Sequence, residues 1–151
     1  MSLRRSVAIL AVILVSVHIC GCGNRRSGAG KASSSDMAAA QALIDALDDN
    51  NLGPIQSQCY DGLQRRCVNW VPATSKALNT QFGRAKDLSM ISTRVPANGW
   101  IEQIWSVRAE RQNYQMRVSY LHTKIGHLEF RTASDKPWTH VMEIASGQNI
   151  K

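Results

Sequence analysis

The chain predicts an α+β domain in which N-terminal helices pack on a curved antiparallel β-meander of four to five strands. Three observations carry this. From Tyr114 to Tyr120 apolar residues hold the even positions and polar residues the odd ones, the period of a half-buried strand. Met37, Ala40, Leu43, Ile44 and Leu47 recur instead at helical spacing. The links between apolar-rich segments after Arg84 are short, which requires antiparallel neighbours. Helices first and strands second is the α+β order.

The first element precedes the domain. Arg4-Arg5 is followed by eleven mostly apolar residues, Val7 to Val17. That run is too short for a comfortable membrane span of roughly 20 residues, and it suits a signal peptide. Ile19-Cys20-Gly21-Cys22 comes next and resembles the lipobox of bacterial lipoproteins. The resemblance implies diacylglyceryl attachment to the Cys22 thiol, cleavage after Gly21 and acylation of the new amine. It assigns residues 1–21 to the leader and implies a cell-membrane or outer-membrane location, on the periplasmic side if the cell is Gram-negative. Gly23, where Asp would favour inner-membrane retention, points to the outer membrane. An ordinary secretory peptide or an uncleaved anchor is the alternative.

Residues 22–35 read as the lipidated cysteine and a tether. Gly and Ser dominate, with no apolar period, and the reach is roughly 20 Å. Gly28-Ala-Gly30-Lys31 lacks the spacing and the flanking strand of a phosphate loop.

The domain is expected over residues 36–146, with 147–151 as a tail. Ser35 or Asp36 caps a first helix that Asp48 to Asn51 and Gly53-Pro54 stop. Pro54 starts a second helix towards Cys67. Trp70 and Pro72 break the chain, and a third short helix follows from Thr74 to Phe82, ended by Gly83.

Cys59 and Cys67 stand inside the second helical stretch. Export would place them in an oxidising space, where paired cysteines bond. Eight residues of unbroken helix would hold them about 12 Å apart, beyond the roughly 7 Å that a disulfide tolerates between Cα atoms. Either the helix breaks, naturally at Asp61-Gly62, and the bond forms, or the helix is whole and the thiols fill the core. The first reading is preferred here.

The strands are expected at Arg84 to Val95, Ile101 to Arg111, Tyr114 to His122, His127 to Thr132 and Trp138 to Ile144. The turns between them are Pro96 to Gly99, Gln112-Asn113, Thr123 to Gly126 and Asp135 to Pro137. The Ala-rich first helix, Phe82-Gly83 before the first strand, and Trp138 at the final one resemble the nuclear-transport-factor-two-like (cystatin-like) superfamily. That resemblance implies a cone between helices and sheet, which superfamily members use for binding or, with a carboxylate or His inside it, for lyase and isomerase chemistry.

Charge excludes one class of partner. The formal charge is +7, but from Asp36 onward 13 Lys+Arg face 11 Asp+Glu, a net of +2. The basic residues are scattered, so no nucleic-acid footprint is present. His122 and His127 flank a turn, yet two imidazoles fall short of the usual zinc ligand count. His140 is expected on the last strand opposite the core. Trp70, Trp100, Trp105 and Trp138 read as core and rim. No catalytic set, metal or cofactor is expected. The sequence therefore points to a lipid-anchored, non-enzymatic module that binds an envelope protein or a small apolar ligand. Its binding face would be the uncovered part of the meander, lined by Trp105, Val107, Met116, Val118, Leu128 and Phe130. The alternative is a small lyase or isomerase.

Overall fold

A computed structural model of the chain describes residues 32–96 and 98–151. The expected leader, Cys22 and the expected tether as far as Lys31 lie outside the described residues. The α+β layout holds: helices come first, then a five-stranded sheet in the order β1-β2-β3-β4-β5.

Helix α1 runs Ser34–Asp48, starting before the expected Ser35 or Asp36 cap. Ser33 is its N-cap: the Ser33 hydroxyl accepts from the Asp36 N–H at 3.1 Å, and the Asp36 carboxylate accepts from the Ser33 N–H at 3.3 Å. This reciprocal box satisfies donors that a helix start leaves orphaned. At the other end Asn50 takes φ 52°, and the Asn50 and Asn51 N–H groups donate back to Leu47 and Ala46. Asn tolerates the left-handed region that this closure needs.

Helix α2 spans Leu52–Gln58, and Cys59 then turns extended to form a parallel bridge with Ile125. Helix α3 is the single turn Asp61–Gln64. Helix α4 runs Cys67–Gln81 straight through Pro72, correcting the expected break. Proline leaves one carbonyl, that of Val68, without its helical donor. Val68 is 60% exposed, so water can serve that carbonyl instead. Gly83 at φ 75° then turns the chain into the sheet.

The strands are β1 Ala85–Arg94, β2 Ile101–Ala109, β3 Tyr114–Leu121, β4 Lys124–Arg131 and the two-residue β5 Thr139–His140. All pairings are antiparallel. β1 is an edge strand carrying two register shifts, between Ala85/Asp87 and Met90/Ser92, which make it a poor template for a further strand. The β3–β4 turn is His122-Thr123, both at positive φ (47° and 68°), the two-residue geometry that matches strand twist. The expected turn at Thr123 to Gly126 is therefore corrected, and Gly126 lies inside β4.

The expected last strand is mostly helix. His140 caps α5, Val141–Ala145, and Glu143 closes a second capping box by accepting from the His140 N–H at 2.7 Å. Val141 and Ile144, three residues apart, turn inward together. Residues 147–151 dock as well. Ile150 is buried, its carbonyl accepts from Gln81 at 3.2 Å, and the Thr132 N–H donates to the Lys151 carbonyl at 2.6 Å. The expected boundary at residue 146 is corrected accordingly.

Candidate functional site

The core decides which face of the sheet is available. Trp105, Val107, Met116, Val118, Leu128 and Phe130 share one face, as their alternation requires, and each is 0% exposed. They form one cluster with Leu43, Leu47, Trp70 and Leu78 from α1 and α4. The expectation that part of this face is left uncovered is corrected: these six residues are core and offer no surface to a partner. The cover exceeds what the sequence suggested because α4 is unbroken, and because Val141, Ile144 and Ile150 add to it.

The opposite, outward face is polar. Cross-strand register builds it in rows. One row is Arg94, Glu102, Ser119 and His127, and the next runs Ser92, Ile104, Arg117, Glu129 and His140. At the end of the first row a shallow cleft of about 210 Å³ is lined by Pro96, Asn98, Trp100, Glu102, Ser119 and His127. Trp100 forms its wall, lying against Gly126 and 5.3 Å from the His127 ring. Glu102 is held by Arg94, whose Nε donates to it at 2.6 Å. The His127 and His140 rings meet edge to face at 5.9 Å. Burial holds His140 below its ordinary pKa; the Glu129 and Glu143 charges oppose that shift and His127 adds to it.

Trp138 closes the neighbouring part of this face. The Arg131 and Arg117 guanidiniums lie 4.1 and 4.6 Å from its ring centroid, within cation–π range. Arg117 also pairs with Glu129, and Arg131 donates to Gln115 at 2.8 Å. Trp100 and Trp138 are thus the two half-buried tryptophans of the outer face, whereas Trp70 and Trp105 are core.

The row Glu102, Ser119, His127 contains the residue types of a hydrolytic triad in the wrong order. A triad needs the imidazole between the carboxylate and the hydroxyl. Here Ser119 sits on the middle strand, Glu102 is engaged by Arg94, and among the described residues no hydrogen bond joins Ser119 to His127. The surface offers aromatic walls and hydrogen-bonding groups of both kinds, suited to holding a polar ligand. Also among the described residues, no three His, Cys, Asp or Glu side chains gather as a metal site.

The other expected residues fall as follows. His122 is exposed in its turn, and it is His140, not His122, that meets His127. Cys59 and Cys67 are buried with both thiols free, so the expected bond is absent from the structure. The continuous-helix alternative is absent too: the chain breaks at Cys59-Tyr60 and at Arg65-Arg66, while Asp61-Gly62 sits within α3. The cleft residues escaped the sequence reading. The signal available was Gly126, a residue without a side chain inside a strand, which marks a close approach.

The chain matches no known family model, no curated protein and no solved structure.

Proposed function

We propose that this protein is a lipid-anchored, extracytoplasmic binding module that engages a polar ligand or an envelope protein through the outer face of its sheet. The observation that carries the reading is the division of the sheet. Its apolar face is sealed by helices, and its outer face keeps the Trp100–Glu102–Ser119–His127 cleft. Sealing removes the site a small apolar ligand would need. The anchor rests on the charged, apolar and small-residue succession that ends at Cys22. Thioether and amide acylation supply more than one chain, which stable anchoring requires. Helices followed by a meander support kinship with the nuclear-transport-factor-two-like layout, in a form whose cone is filled.

Two experiments test this. Cells carrying the wild type and Cys22→Ala are fractionated; wild-type protein in the soluble fraction ends the anchor reading. A photo-crosslinking residue is placed at Ser119 in the cleft or at Ala38 on the exposed side of α1. Adducts from position 119 alone are expected, and adducts from position 38 alone would reverse the assignment of the face.

A second reading, a small lyase or isomerase, would rest on Asp48. Burial raises its pKa, and its Oδ1 is buried without a hydrogen bond among the described residues, as is the Tyr114 hydroxyl. The other oxygen, Oδ2, accepts from the Ala85 N–H at 2.9 Å, which pins the start of β1 to the end of α1. That structural use accounts for the carboxyl's position without chemistry.

A further inference from the structure

We propose that the end of the sheet at which the chain enters the domain lies on the lipid surface, with Val95, Ile101 and Tyr60 seated in its interface. This rests on the lipid-anchor reading and adds to it the face that the anchored domain turns to the membrane.

Cross-strand register brings the three residues to one end. Arg94 and Glu102 are the last pair of β1 and β2, and Val95 and Ile101 are the next residue beyond each. Ile101 pairs with Tyr120, and Tyr120 with Ile125 of β4. The Tyr60 N–H donates to the Ile125 carbonyl at 2.8 Å, which carries Tyr60 to the same end. Val95 is 69% exposed, Tyr60 45% and Ile101 42%, and they are three of the five exposed large apolar side chains among the described residues. The other two, Val68 and Ile91, lie on α4 and within β1.

The chain comes in at this end as well. Asp36, in the first turn of α1, accepts from Gln103 at 3.0 Å, and Gln103 is two residues from Ile101 on the same side of β2. Ala32, four residues before Asp36, packs against the core. It stands ten residues after Cys22, so a lipidated Cys22 holds this entry within roughly 35 Å of the anchor whatever path the chain takes. Arg25, Arg26 and Lys31 are the only charged residues between the two, and anionic headgroups draw them closer.

The same facts select the occupant. Residues 23–31 have Ala29 as their one apolar side chain and cannot cover the patch. A second copy fits poorly, because a standard protein interface takes roughly 20–30 residues a side. A lipid interface needs fewer, since the anchor makes docking intramolecular. Branched aliphatics enter the acyl boundary, and a tyrosine sits at headgroup level. Lys124, exposed beside Ile125, adds a cation there. Glu102, Ser119 and His127 stand on the opposite side of the sheet, so docking leaves the cleft open to its ligand.

The test uses the full chain, lipidated in cells and purified, in vesicles of phosphatidylethanolamine and phosphatidylglycerol with brominated acyl chains. A fluorescent amino acid is placed at position 95 or at position 86. Lys86 is exposed and lies nine residues back along β1, about 30 Å away. Bromine should quench the emission at position 95 and leave position 86 unchanged. With the label at 95, Ile101→Glu should restore the emission while the chain still floats with the vesicles, because it removes the docking and keeps the anchor. Equal quenching at the two positions, or none at 95 in a chain that floats, overturns the docking and leaves the anchor standing. Quenching at 95 that survives Ile101→Glu also overturns it, because the contact then owes nothing to this patch. Emission at 95 that ignores bromine but shifts as chains per vesicle are raised would make the patch an interface between copies instead. A chain that does not float defeats the anchor, and the docking with it.

Discussion

The ring of Trp100 occupies the space where Gly126 would carry a side chain: a Cβ built there would meet Trp100 Cζ3 at 2.1 Å. The atoms met, Cζ3 and Cη2, form the outer edge of a half-buried indole, so the ring must turn aside to make room. Gly126 is the unpaired residue of a β3–β4 bulge, between Ile125 opposite Tyr120 and His127 opposite Ser119, and its φ lies outside the left-handed region that would by itself bar a side chain. Any loss in Gly126→Ala thus reports the collision. We expect about 1–3 kcal/mol of destabilisation, typical of overpacking, with a shift in tryptophan emission as the ring is turned out. Unchanged urea unfolding and emission would mean that the indole does not rest on that strand.

Asp36 ties the start of α1 to the sheet. Beyond its part in the capping box, its Oδ1 accepts from Gln103 Nε2 at 3.0 Å, and Gln103 is buried. The Ser33 hydroxyl bond, first, holds the carboxyl below the usual range. Asp36→Ala should cost about 2 kcal/mol in urea unfolding at neutral pH, from the lost cap and the orphaned amide together. Asp36→Asn keeps an acceptor for Gln103 and should cost less than half as much. A depressed carboxyl adds stability above its unfolded pKa of 3.8 that is lost as pH falls below it, so the gap between wild type and Asp36→Ala should narrow in acid. Equal costs for the two variants would leave Gln103 with no role.

How far the sequence disclosed this arrangement depends on the range over which each signal acts. The alternation in Tyr114–Tyr120 and the stripe from Ala40 to Leu47 are local patterns, and they located β3 and α1 within a residue or two. Pro72 and Gly126 misled for different reasons, one a matter of local exposure and the other of a neighbour far along the chain. The exposure of Val68 leaves its carbonyl open to solvent, and Trp100 claims the space over Gly126. His140 and Glu143 form a capping box with an imidazole in the place of a hydroxyl, so Val141–Ala145 reads as strand until the cap is seen. The outer-face cleft was the least visible part. Glu102, Ser119 and His127 are adjacent only through register across three strands, which no spacing in the sequence encodes.

The docked tail supplies a further test. Ile150 is buried and sits between the Gln81 bond to its carbonyl and the Lys151 N–H, which donates to Thr139 Oγ1 at 3.4 Å. Ile150→Ala should destabilise by about 2–4 kcal/mol, the range for a large side chain lost from a core. Thr139 is buried and paired with Phe130, so protection of the β4–β5 amides from hydrogen exchange should fall with it. A change below about 0.5 kcal/mol would show that residues 147–151 rest on the surface.

His140 should make the fold sensitive to mild acid. Its Nδ1 accepts from the Met142 N–H at 3.2 Å, an interaction that only the unprotonated nitrogen can make. Half-buried, it faces Glu129, His127 and Glu143; burial outweighs the two carboxylates and sets its pKa below the ordinary 6.5. The sign follows. Below 6.5 the unfolded chain binds the proton that the native chain resists, so the stability is full above 6.5 and is lost as pH falls through the depressed native value. Ordinary carboxylates titrate nearer pH 4, which leaves a window between about 7 and 5 where histidine dominates. Replacing His140 by Asn keeps a capping oxygen and removes the titration. Its unfolding free energy should stay close to wild type at pH 7.5 and fall less steeply toward pH 5, whereas His140→Ala should lose about 1 kcal/mol even at pH 7.5. Parallel pH curves for wild type and His140→Asn would assign the acid sensitivity to another group and leave the imidazole as a cap alone.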